Sequence, residues 1–320
     1  MRTVILDTDI GNDVDDIFAL IMLAKMNEFK LLGVTTVYGD TKQQAQMTRF
    51  ILDKVGRVDV PVFPGEGEPI RSGTNGVILR ASHVAGGFPQ DELANIQVNV
   101  HESAVDFLIA QSKLYNGELE ILAIGPMTNI ARAIQLDPEF PKRIKHLTLM
   151  AGLIYPEENP LWLKIISNHN GEYNTVCDLG ASDIVLSVGF NMTLVNVDVT
   201  GQVWFTRKHK EYFARMPFGL GEILSRELEI WWNIIAQVDD EQDSRSNPHD
   251  PIAVIALADP GFFTFEQGTV SLQRSHGLDG MIHFEKSDSG KARITKTIKP
   301  EIVQEIVKRI IKDYTVRMAL

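Results

Sequence analysis

Five aspartates lie within ten residues near the start of the chain, in the segment DTDIGNDVDD. They are Asp7, Asp9, Asp13, Asp15 and Asp16. An apolar run, Thr3–Leu6, precedes them, and an apolar helical pattern begins at Ile17. This order predicts a turn that leaves a buried strand and enters a helix. So many carboxylates at one partly dry turn repel each other strongly unless a cation or raised pKa values offset their charge.

The residue types in this segment indicate which cation would suit it. Cysteine and histidine are absent, and oxygen-only ligands favour a hard ion, calcium or magnesium, over zinc. Helix capping is the alternative role, because aspartate is favoured at helix starts. Capping accounts for one or two of the five acids. It does not account for Asp7 and Asp9, which lie at the predicted strand end.

Strand-like and helix-like segments alternate along most of the chain. Short, β-rich apolar runs occur at 31–37, 119–124, 146–150 and 194–198, and helical patterns occur at 41–55, 101–114 and 128–136. This alternation predicts an α/β fold, with an open, mostly parallel, doubly wound sheet covered by helices on both faces. Ligands of such sheets bind outside the carboxyl ends of the strands, where the aspartates are expected.

The pattern changes after about residue 265. Three alternating segments, 269–273, 281–284 and 292–298, predict a small antiparallel C-terminal addition. A final amphipathic helix is predicted from Glu301 to Tyr314. We find no linker, repeat or low-complexity tract, so residues 1–320 are predicted to form a single domain.

Composition narrows the class of protein. The net charge of −11 and the lack of a basic patch argue against nucleic-acid binding. The single cysteine, Cys177, rules out an internal disulfide framework, fits a reducing cytoplasm, and is interpreted as a small buried side chain. Neither a signal peptide nor a membrane-length apolar run is apparent, so we expect a cytoplasmic protein without membrane contact.

Four further short motifs could carry chemistry, although each also has a structural interpretation. They are His249-Asp250-Pro251, Gly125-Pro-Met-Thr-Asn129, Gly171-Glu-Tyr-Asn174 and Met150-Ala-Gly152. The first two are good helix starts, with Asp250 as a cap and Pro251 in the first turn, or with Thr128 or Asn129 as a cap. Each motif alone is a weak signal.

Taken in order along the chain, these motifs resemble the nucleoside hydrolases, the inosine–uridine-preferring group and its divergent relatives. The matching series is DTDIGNDVDD, GVTTVYGD, ILAIGPMTNIA, LTLMAG, GEYNTVCDLGASDIVLSVG, LVNVDVT and HDPIAV, and it extends to about Ala256. The resemblance implies a calcium-dependent enzyme that cleaves the N-glycosidic bond of ribonucleosides, on an open α/β fold. It also implies a homodimer or homotetramer.

The resemblance assigns a metal site. Asp9, Asp16, Asp250 and the backbone carbonyl of Thr128 are the implied calcium ligands, a mixture of oxygen donors that suits this ion. Asp13-Val14 looks inserted relative to the family, and many members have proline where Ile10 stands. Asp13 or Asp15 is therefore an alternative ligand.

The resemblance also assigns the reaction and the sugar contacts. Asp9 would take the proton of the attacking water as general base, and His249 would protonate the leaving base. The expected substrate-binding residues are Asp15 and Asn174 on the ribose hydroxyls and Glu172 on the 5′-hydroxyl, with Asp40, Met150 and Asp250 nearby. Asp40 stands where the family often has asparagine.

Recognition of the base is the least constrained part of the site. His83 and Trp232 are candidates for contacts at its edge, with a structural role as the alternative for each. Asn168 and Asn170, in the segment 155–170, are both candidates for an asparagine of the family. His249 favours broad or pyrimidine/inosine-type activity over strict purine specificity.

Two rival functions are compatible with parts of the sequence. Asp7-Thr-Asp9 after a strand superficially resembles haloacid-dehalogenase phosphatases, but no downstream lysine or second acidic motif stands at a convincing position. Cleavage of p-nitrophenyl phosphate rather than p-nitrophenyl riboside would identify such an enzyme. The second rival is a non-catalytic nucleoside or ribose sensor, which would bind ribose without turnover.

Overall fold

The structure is a computed structural model, and it describes residues 1–72, 84–98, 100–158, 171–236, 245–273 and 280–314. Its strands are β1 (Arg2–Thr8), β2 (Phe29–Thr36), β3 (Val62–Pro64), β4 (Leu119–Ala123), β5 (Ile144–Met150), β6 (Met192–Val195), β7 (Phe205–Thr206), β8 (Arg245–Ser246), β9 (Phe263–Leu272), β10 (Ile282–Lys286) and β11 (Ala292–Ile298).

The helices of the described residues alternate with these strands. They are α1 (Asp15–Ala24), α2 (Thr41–Lys54), α3 (Gln90–Ala94), α4 (Ala104–Leu114), α5 (Thr128–Leu136), α6 (Phe140–Arg143), α7 (Tyr173–Cys177), α8 (Leu179–Ser187), α9 (Val197–Thr200), α10 (Arg207–Phe213), α11 (Leu220–Ile235), α12 (His249–Ala258) and α13 (Ile302–Ile311). Short 3₁₀ turns lie at Val84–Gly87, Pro156–Glu158 and Pro260–Phe262.

Nine of the described strands form one sheet, in the order β10-β9-β11-β6-β5-β4-β1-β2-β3. Seven neighbouring strands of this sheet pair in parallel, in the order β11-β6-β5-β4-β1-β2-β3. At the other edge, β9 pairs antiparallel with both β10 and β11. The predicted fold class is confirmed. The C-terminal strands extend the same sheet, because β11 joins β6 in parallel.

The order of the strands creates a crevice beside β1. The chain moves outward from β1 through β2 to β3, and then returns to place β4 on the other side of β1. This reversal is a topological switch point, where ligands bind at the carboxyl ends of the strands. Asp7 in β1 is in register with Ala123 in β4, so Asp9 and Gly125 follow on the two sides of the crevice.

Helix α1 is a rigid platform for the end of β1. Every residue from Asp15 to Ala24 is buried, and the helix packs against α2, α12 and α13. A helix that is apolar around its circumference belongs in a core. Burial of its length fixes the position of its first turn, which carries the acids.

Several predicted boundaries differ from the structure, among them that of the strand predicted from residue 269, which begins at Phe263, and three of these differences have a consequence for local structure. The strand predicted at 194–198 ends at Val195, and Val197–Thr200 is helical, with the Asp198 carboxylate accepting the N–H groups of Ile154 and Tyr155. The helix predicted from residue 101 begins at Ala104, because Ser103 caps it. Helix α12, for which Asp250 was the predicted cap, begins at His249, so Asp250 and Pro251 lie inside its first turn.

No described helix is both long enough and apolar enough to cross a bilayer.

Candidate active site

Asp9 follows directly after β1 and faces the crevice. Its side chain is buried, and Asn12 Nδ2 donates to its Oδ2 at 2.8 Å. Gly125 packs against it so closely that a Cβ on Gly125 would lie 2.8 Å from Asp9 Oδ1. A glycine is therefore required at the end of β4 for the Asp9 carboxylate to keep its position.

The other acids of the first segment lie at the start of α1. One carboxylate oxygen from each of Asp13, Asp15 and Asp16 lies within 4.8 Å of the others. Asp15 and Asp16 are buried, and Thr8 donates its hydroxyl to Asp16. Asp13 is partly exposed, and its Oδ1 accepts the N–H of Asp15 at 2.8 Å. Asp13 lies one residue before the N-cap of α1, Val14, and this bond orders the turn that enters the helix.

Asp250, in the first turn of α12, lies beside the acids at the start of α1. Its backbone N–H donates to Asp15 Oδ2 at 3.0 Å, and its side chain is buried. The neighbouring charges that act on the Asp250 carboxyl are those of Asp15, Asp16, Asp13 and Asp9. Acids that are distant in sequence thus meet at the carboxyl edge of the sheet.

Burial and mutual repulsion raise the pKa values of the acids in this cluster. Burial raises the pKa of Asp9 to about 7, with Asp13 and Glu172 adding to the shift. The pKa values of Asp15, Asp16 and Asp250 are held well above the ordinary range, mainly by burial and then by neighbouring carboxylates. Among the described residues, the charges that raise these four pKa values are those of neighbouring carboxylates. A divalent cation would supply the missing charge and lower all four pKa values.

Asp7 lies apart from this cluster. It is buried in β1, where Thr35 donates its hydroxyl and Asn129 donates its Nδ2 to Asp7 Oδ1, the latter at 2.7 Å. Burial raises the pKa of Asp7 to about 6. Asn129 also donates to the Thr36 carbonyl, so Asp7 and Asn129 bind the ends of β1 and β2 to the start of α5.

Thr128 and Ile124 differ in the hydrogen bonds that their carbonyls make. Thr128 begins α5, its hydroxyl donates to Asp178 at 2.8 Å, and its carbonyl belongs to the hydrogen-bond ladder of the helix. Ile124 lies between β4 and Gly125, and its carbonyl accepts Asn174 Nδ2 at 2.8 Å. The Ile124 carbonyl is thus the main-chain oxygen beside the Asp9 contact.

Asn174 and Met150 line the next part of the edge. Asn174 Nδ2 donates both to the Ile124 carbonyl and to the carbonyl of Met150, the last residue of β5, at 3.1 Å. This fork joins the ends of β4 and β5. It fixes the Asn174 amide with its donor side toward the sheet.

Glu172 is extensively hydrogen-bonded by its own neighbourhood. Its carboxylate accepts the N–H groups of Gly152, Asn174 and Thr175 at 2.8–3.0 Å, and also the Thr175 hydroxyl. These four bonds occupy most of the acceptor capacity of a carboxylate. In this structure, Glu172 caps α7 and positions Asn174.

His249 lies at the first position of α12, next to Asp250. Its Nδ1 is 2.6 Å from the hydroxyl of Thr200, and burial lowers the pKa of His249 to about 4. The imidazole is therefore neutral near pH 7. When Nδ1 accepts the Thr200 hydroxyl, Nε2 carries the proton.

Two other predicted site residues, Asp40 and Trp232, have structural roles in the described part of the chain. Asp40 is exposed and caps α2 by accepting the N–H of Gln43 at 3.0 Å. Trp232 is buried in the main apolar core, which is its structural alternative. His83, Asn168 and Asn170 lie outside the described residues.

Several contacts of the site were not assigned from the sequence. Asn12 on Asp9, Thr8 on Asp16, Thr200 on His249 and the carbonyl of Ile124 each fall within or beside a recognised motif. Only their proximity to the aspartates could have signalled them. Which donor reaches which carboxylate depends on the tertiary structure.

The family model described as inosine-uridine preferring nucleoside hydrolase matches residues 4–306. The chain belongs to this family. The nucleoside hydrolase assignment makes the protein an enzyme, a ribohydrolase that cleaves the N-glycosidic bond of ribonucleosides. It also rules out the phosphatase alternative, and the acids at the crevice become its candidate metal site.

Relatives within the nucleoside hydrolase family match 84–98% of the chain. A probable uridine nucleosidase 2 from Arabidopsis thaliana is 28% identical over 98% of both chains. A probable uridine nucleosidase 2 from Oryza sativa subsp. japonica is 31% identical over 84% of this chain and 78% of that protein. Among solved structures, a plant nucleoside hydrolase, the PpNRh1 enzyme, superposes with a TM-score of 0.81 at 25% identity, over 97% of this chain and 99% of that one.

Proposed function

We propose that the protein is a calcium-dependent hydrolase of ribonucleosides that prefers uridine and inosine-type substrates. The observation that carries the proposal is the meeting of Asp250 with Asp15 beside Asp9 and Asp16, at the switch point of the sheet. Several buried carboxylates repel each other at that point, and a bound cation would stabilise their ionised forms. The products would be ribose and the free base.

The residues that would hold the ion are Asp9, Asp16 and Asp250, with Asp15 or Asp13 as a further carboxylate. For the main-chain ligand, we propose the carbonyl of Ile124 in place of that of Thr128, which is committed to its helix. Carboxylates and a carbonyl suit calcium, which accepts six to eight oxygen ligands. When bound, the ion would supply Lewis-acid activation of water and a grip on the ribose hydroxyls.

Asp9 is the proposed general base. The bound cation would keep the Asp9 carboxylate ionised and ready to accept a proton, and Asn12 and Gly125 fix its two oxygens. The attacking water gives its proton to Asp9 while its oxygen bonds to C1′ of the ribose. The N-glycosidic bond breaks, and the base leaves with the electron pair. Positive charge on the sugar is stabilised by the surrounding carboxylates.

His249 is the proposed donor to the departing base. A neutral imidazole whose Nδ1 is held by Thr200 presents its Nε2–H to the other side. This donor requires no protonated histidine in the free enzyme, in agreement with the low pKa of His249. This hydrogen bond stabilises the negative charge that develops on the base as the bond breaks, and the departed base then takes its proton from solvent.

Asn174, Met150 and Glu172 are proposed to shape the ribose side of the site. Asn174 bridges β4 and β5 at the crevice, and Glu172 holds Asn174 in place. Glu172 would then act on the 5′-hydroxyl chiefly through the position of this loop. We further propose a cytoplasmic homodimer or homotetramer.

The base preference is supported by the similar proteins that are named uridine nucleosidases. The test is turnover of uridine, inosine and adenosine with calcium, with a chelator, and with calcium added back. We expect uridine and inosine to be cleaved, with activity lost in chelator and regained with calcium. Turnover that is unaffected by complete metal removal would contradict the proposal, and a strong preference for adenosine would refute the assigned base class.

A further inference from the structure

A polar cleft of about 270 Å³ lies at the amino-terminal edge of the main sheet. Arg2 of β1, Lys145 and Thr148 of β5, and Arg293 of β11 are among its lining residues. Asp9 follows the opposite end of β1, so the length of the strand separates the cleft from the acidic cluster by roughly 20 Å. The cleft is therefore distinct from the candidate active site.

The lining of the cleft carries three cations and one carboxylate, that of Glu120. Two nitrogens of the Arg2 guanidinium donate hydrogen bonds to the Glu120 carboxylate. The third donates to the Leu257 carbonyl at 2.9 Å. This bidentate pair leaves Arg2 and Glu120 neutral together. Lys145 pairs with Glu118 at the rim, so Arg293 remains as excess positive charge on a protein whose net charge is −11.

Arg293 is the cation of the cleft that lacks a counter-ion. Its Nε donates to Thr193 at 2.7 Å, and its guanidinium lies over the Phe265 ring at 4.4 Å. Among the described residues it pairs with no carboxylate, and its two terminal nitrogens donate to none of them. A guanidinium stays protonated, so partial burial without a counter-charge is unfavourable.

Thr148 provides a second, independent sign of a ligand. Its side chain is 1% exposed and lines the cleft, yet its hydroxyl has no hydrogen-bond partner. Buried hydroxyls are normally paired, because an unpaired one loses its hydration without compensation. Lys145, on the same strand, is half exposed and lies 3.8 Å from Glu120 and 3.4 Å from Glu118 at the rim.

We propose that this cleft is a binding site for a phosphate-class oxyanion, held by the free fork of Arg293, the hydroxyl of Thr148 and the ammonium of Lys145. Phosphate oxygens match the geometry of a guanidinium fork and accept hydrogen bonds from hydroxyl and ammonium groups. The volume exceeds that of a phosphate ion, so a small phosphomonoester also fits. The ligand is separate from the nucleoside substrate, and this inference does not rest on the proposed reaction.

The test is calorimetric titration of the full chain with inorganic phosphate, and in a second arm with ribose 5-phosphate. Ionic strength is matched with sodium chloride, and calcium is kept too low to precipitate phosphate. We expect saturable binding of one ligand per chain in at least one arm. Tighter binding of the ester than of the ion would assign the site to phosphomonoesters.

Arg293→Gln should weaken binding by about tenfold or more, because it removes a charged hydrogen-bonding group. Thr148→Val should weaken it several-fold while preserving side-chain shape, which keeps the test decisive even where Arg293→Gln destabilises the fold. Arg226→Gln, at an exposed site on α11, is the matched control and should bind as the wild type does. Absence of saturable binding in both arms would overturn the proposal, as would equal losses in Arg226→Gln and Arg293→Gln.

Discussion

The backbone N–H of Asp250 donates to the carboxylate of Asp15 at 3.0 Å, although 235 residues separate them. This bond joins the first turn of α12 to the first turn of α1. Both helices are buried along most of their length, so their packing fixes the relative position of the two acids. The electrostatic character of the site therefore depends on the core as much as on the acids themselves.

Asp250→Asn should remove one charge from the cluster and keep both the shape of the side chain and the backbone bond to Asp15. We expect kcat/KM for uridine to fall by about 10²–10³-fold, because a preorganised charge at the reacting centre is lost. Steady-state kinetics at saturating calcium would measure the change. Asp106→Asn, the same substitution at an exposed position of α4, is the control. Comparable losses in the two variants would contradict a role for Asp250 in the site.

Gly125→Ala should displace Asp9 without changing any charge. The new Cβ would lie 2.8 Å from Asp9 Oδ1 and 2.9 Å from Asp9 N. A displacement of the Asp9 carboxylate by about 1 Å can reduce kcat by about a hundredfold. Gly261→Ala, in a turn outside the site, should leave kcat near the wild-type value. Wild-type kcat in folded Gly125→Ala would show that the close packing does not position the base.

His249→Ala should separate leaving-group chemistry from sugar activation. We expect uridine turnover to fall by about a hundredfold or more, the size expected when a donor to developing negative charge is lost, and p-nitrophenyl riboside turnover to fall much less. The activated phenolate needs no proton to depart, which explains the difference. Because burial lowers the pKa of His249 to about 4, the wild-type rate should show no protonation step of this residue near pH 6.5. Equal losses on both substrates would remove His249 from this role.

Asp40→Ala distinguishes a substrate contact from a helix cap. The carboxylate of Asp40 is exposed and accepts the N–H of Gln43, so its loss should lower the free energy of unfolding by about 1 kcal/mol. The KM for uridine should change little. Urea denaturation and kinetics on the same preparation would test both statements. A large rise in KM with unchanged stability would support the contact that the family resemblance implied.

The metal-free protein should lose stability as the pH rises. Burial raises the pKa of Asp7 to about 6 and that of Asp9 to about 7, so the folded chain holds protons that the unfolded chain releases. Under this condition the free energy of unfolding falls between about pH 4 and pH 7, by about 1.4 kcal/mol per unit of pKa shift for each group. Urea denaturation in chelator at pH 5, 6, 7 and 8 would reveal the slope.

Calcium should reverse this pH dependence, because it binds the ionised carboxylates of the folded state. Asp9→Asn should flatten the slope in chelator, since the amide does not titrate. A metal-free protein that becomes more stable between pH 5 and pH 8 would contradict the electrostatic account.

Local sequence patterns were sufficient to predict much of the fold. The helix Thr128–Leu136 and the strand Ala292–Ile298 have their predicted bounds, because periodicity and turn residues are local signals. The strand predicted through Asp198 was wrong at its end. There the backbone turns into a helix so that the Asp198 carboxylate can bind two N–H groups of another segment.

The site was predictable to the extent that its acids are concentrated in motifs. The proximity of Asp250 to Asp15 had to be taken from family resemblance, because no local pattern encodes a contact across the chain. The exposed position of Asp40 and the internal bonds of Glu172 depend on tertiary packing in the same way. The motifs were therefore sufficient to predict which acids belong to the site. Their hydrogen-bond partners depend on the tertiary structure and could not be predicted.

The most direct test of the central claim is a calorimetric titration of calcium into the metal-free wild type, Asp16→Asn and Asp250→Asn. If acids from both ends of the chain form one cation site, the wild type should bind one calcium ion per chain. Each substitution should then weaken that binding severely. Wild-type calcium affinity in Asp250→Asn, or no saturable calcium binding by the unaltered chain, would contradict the account.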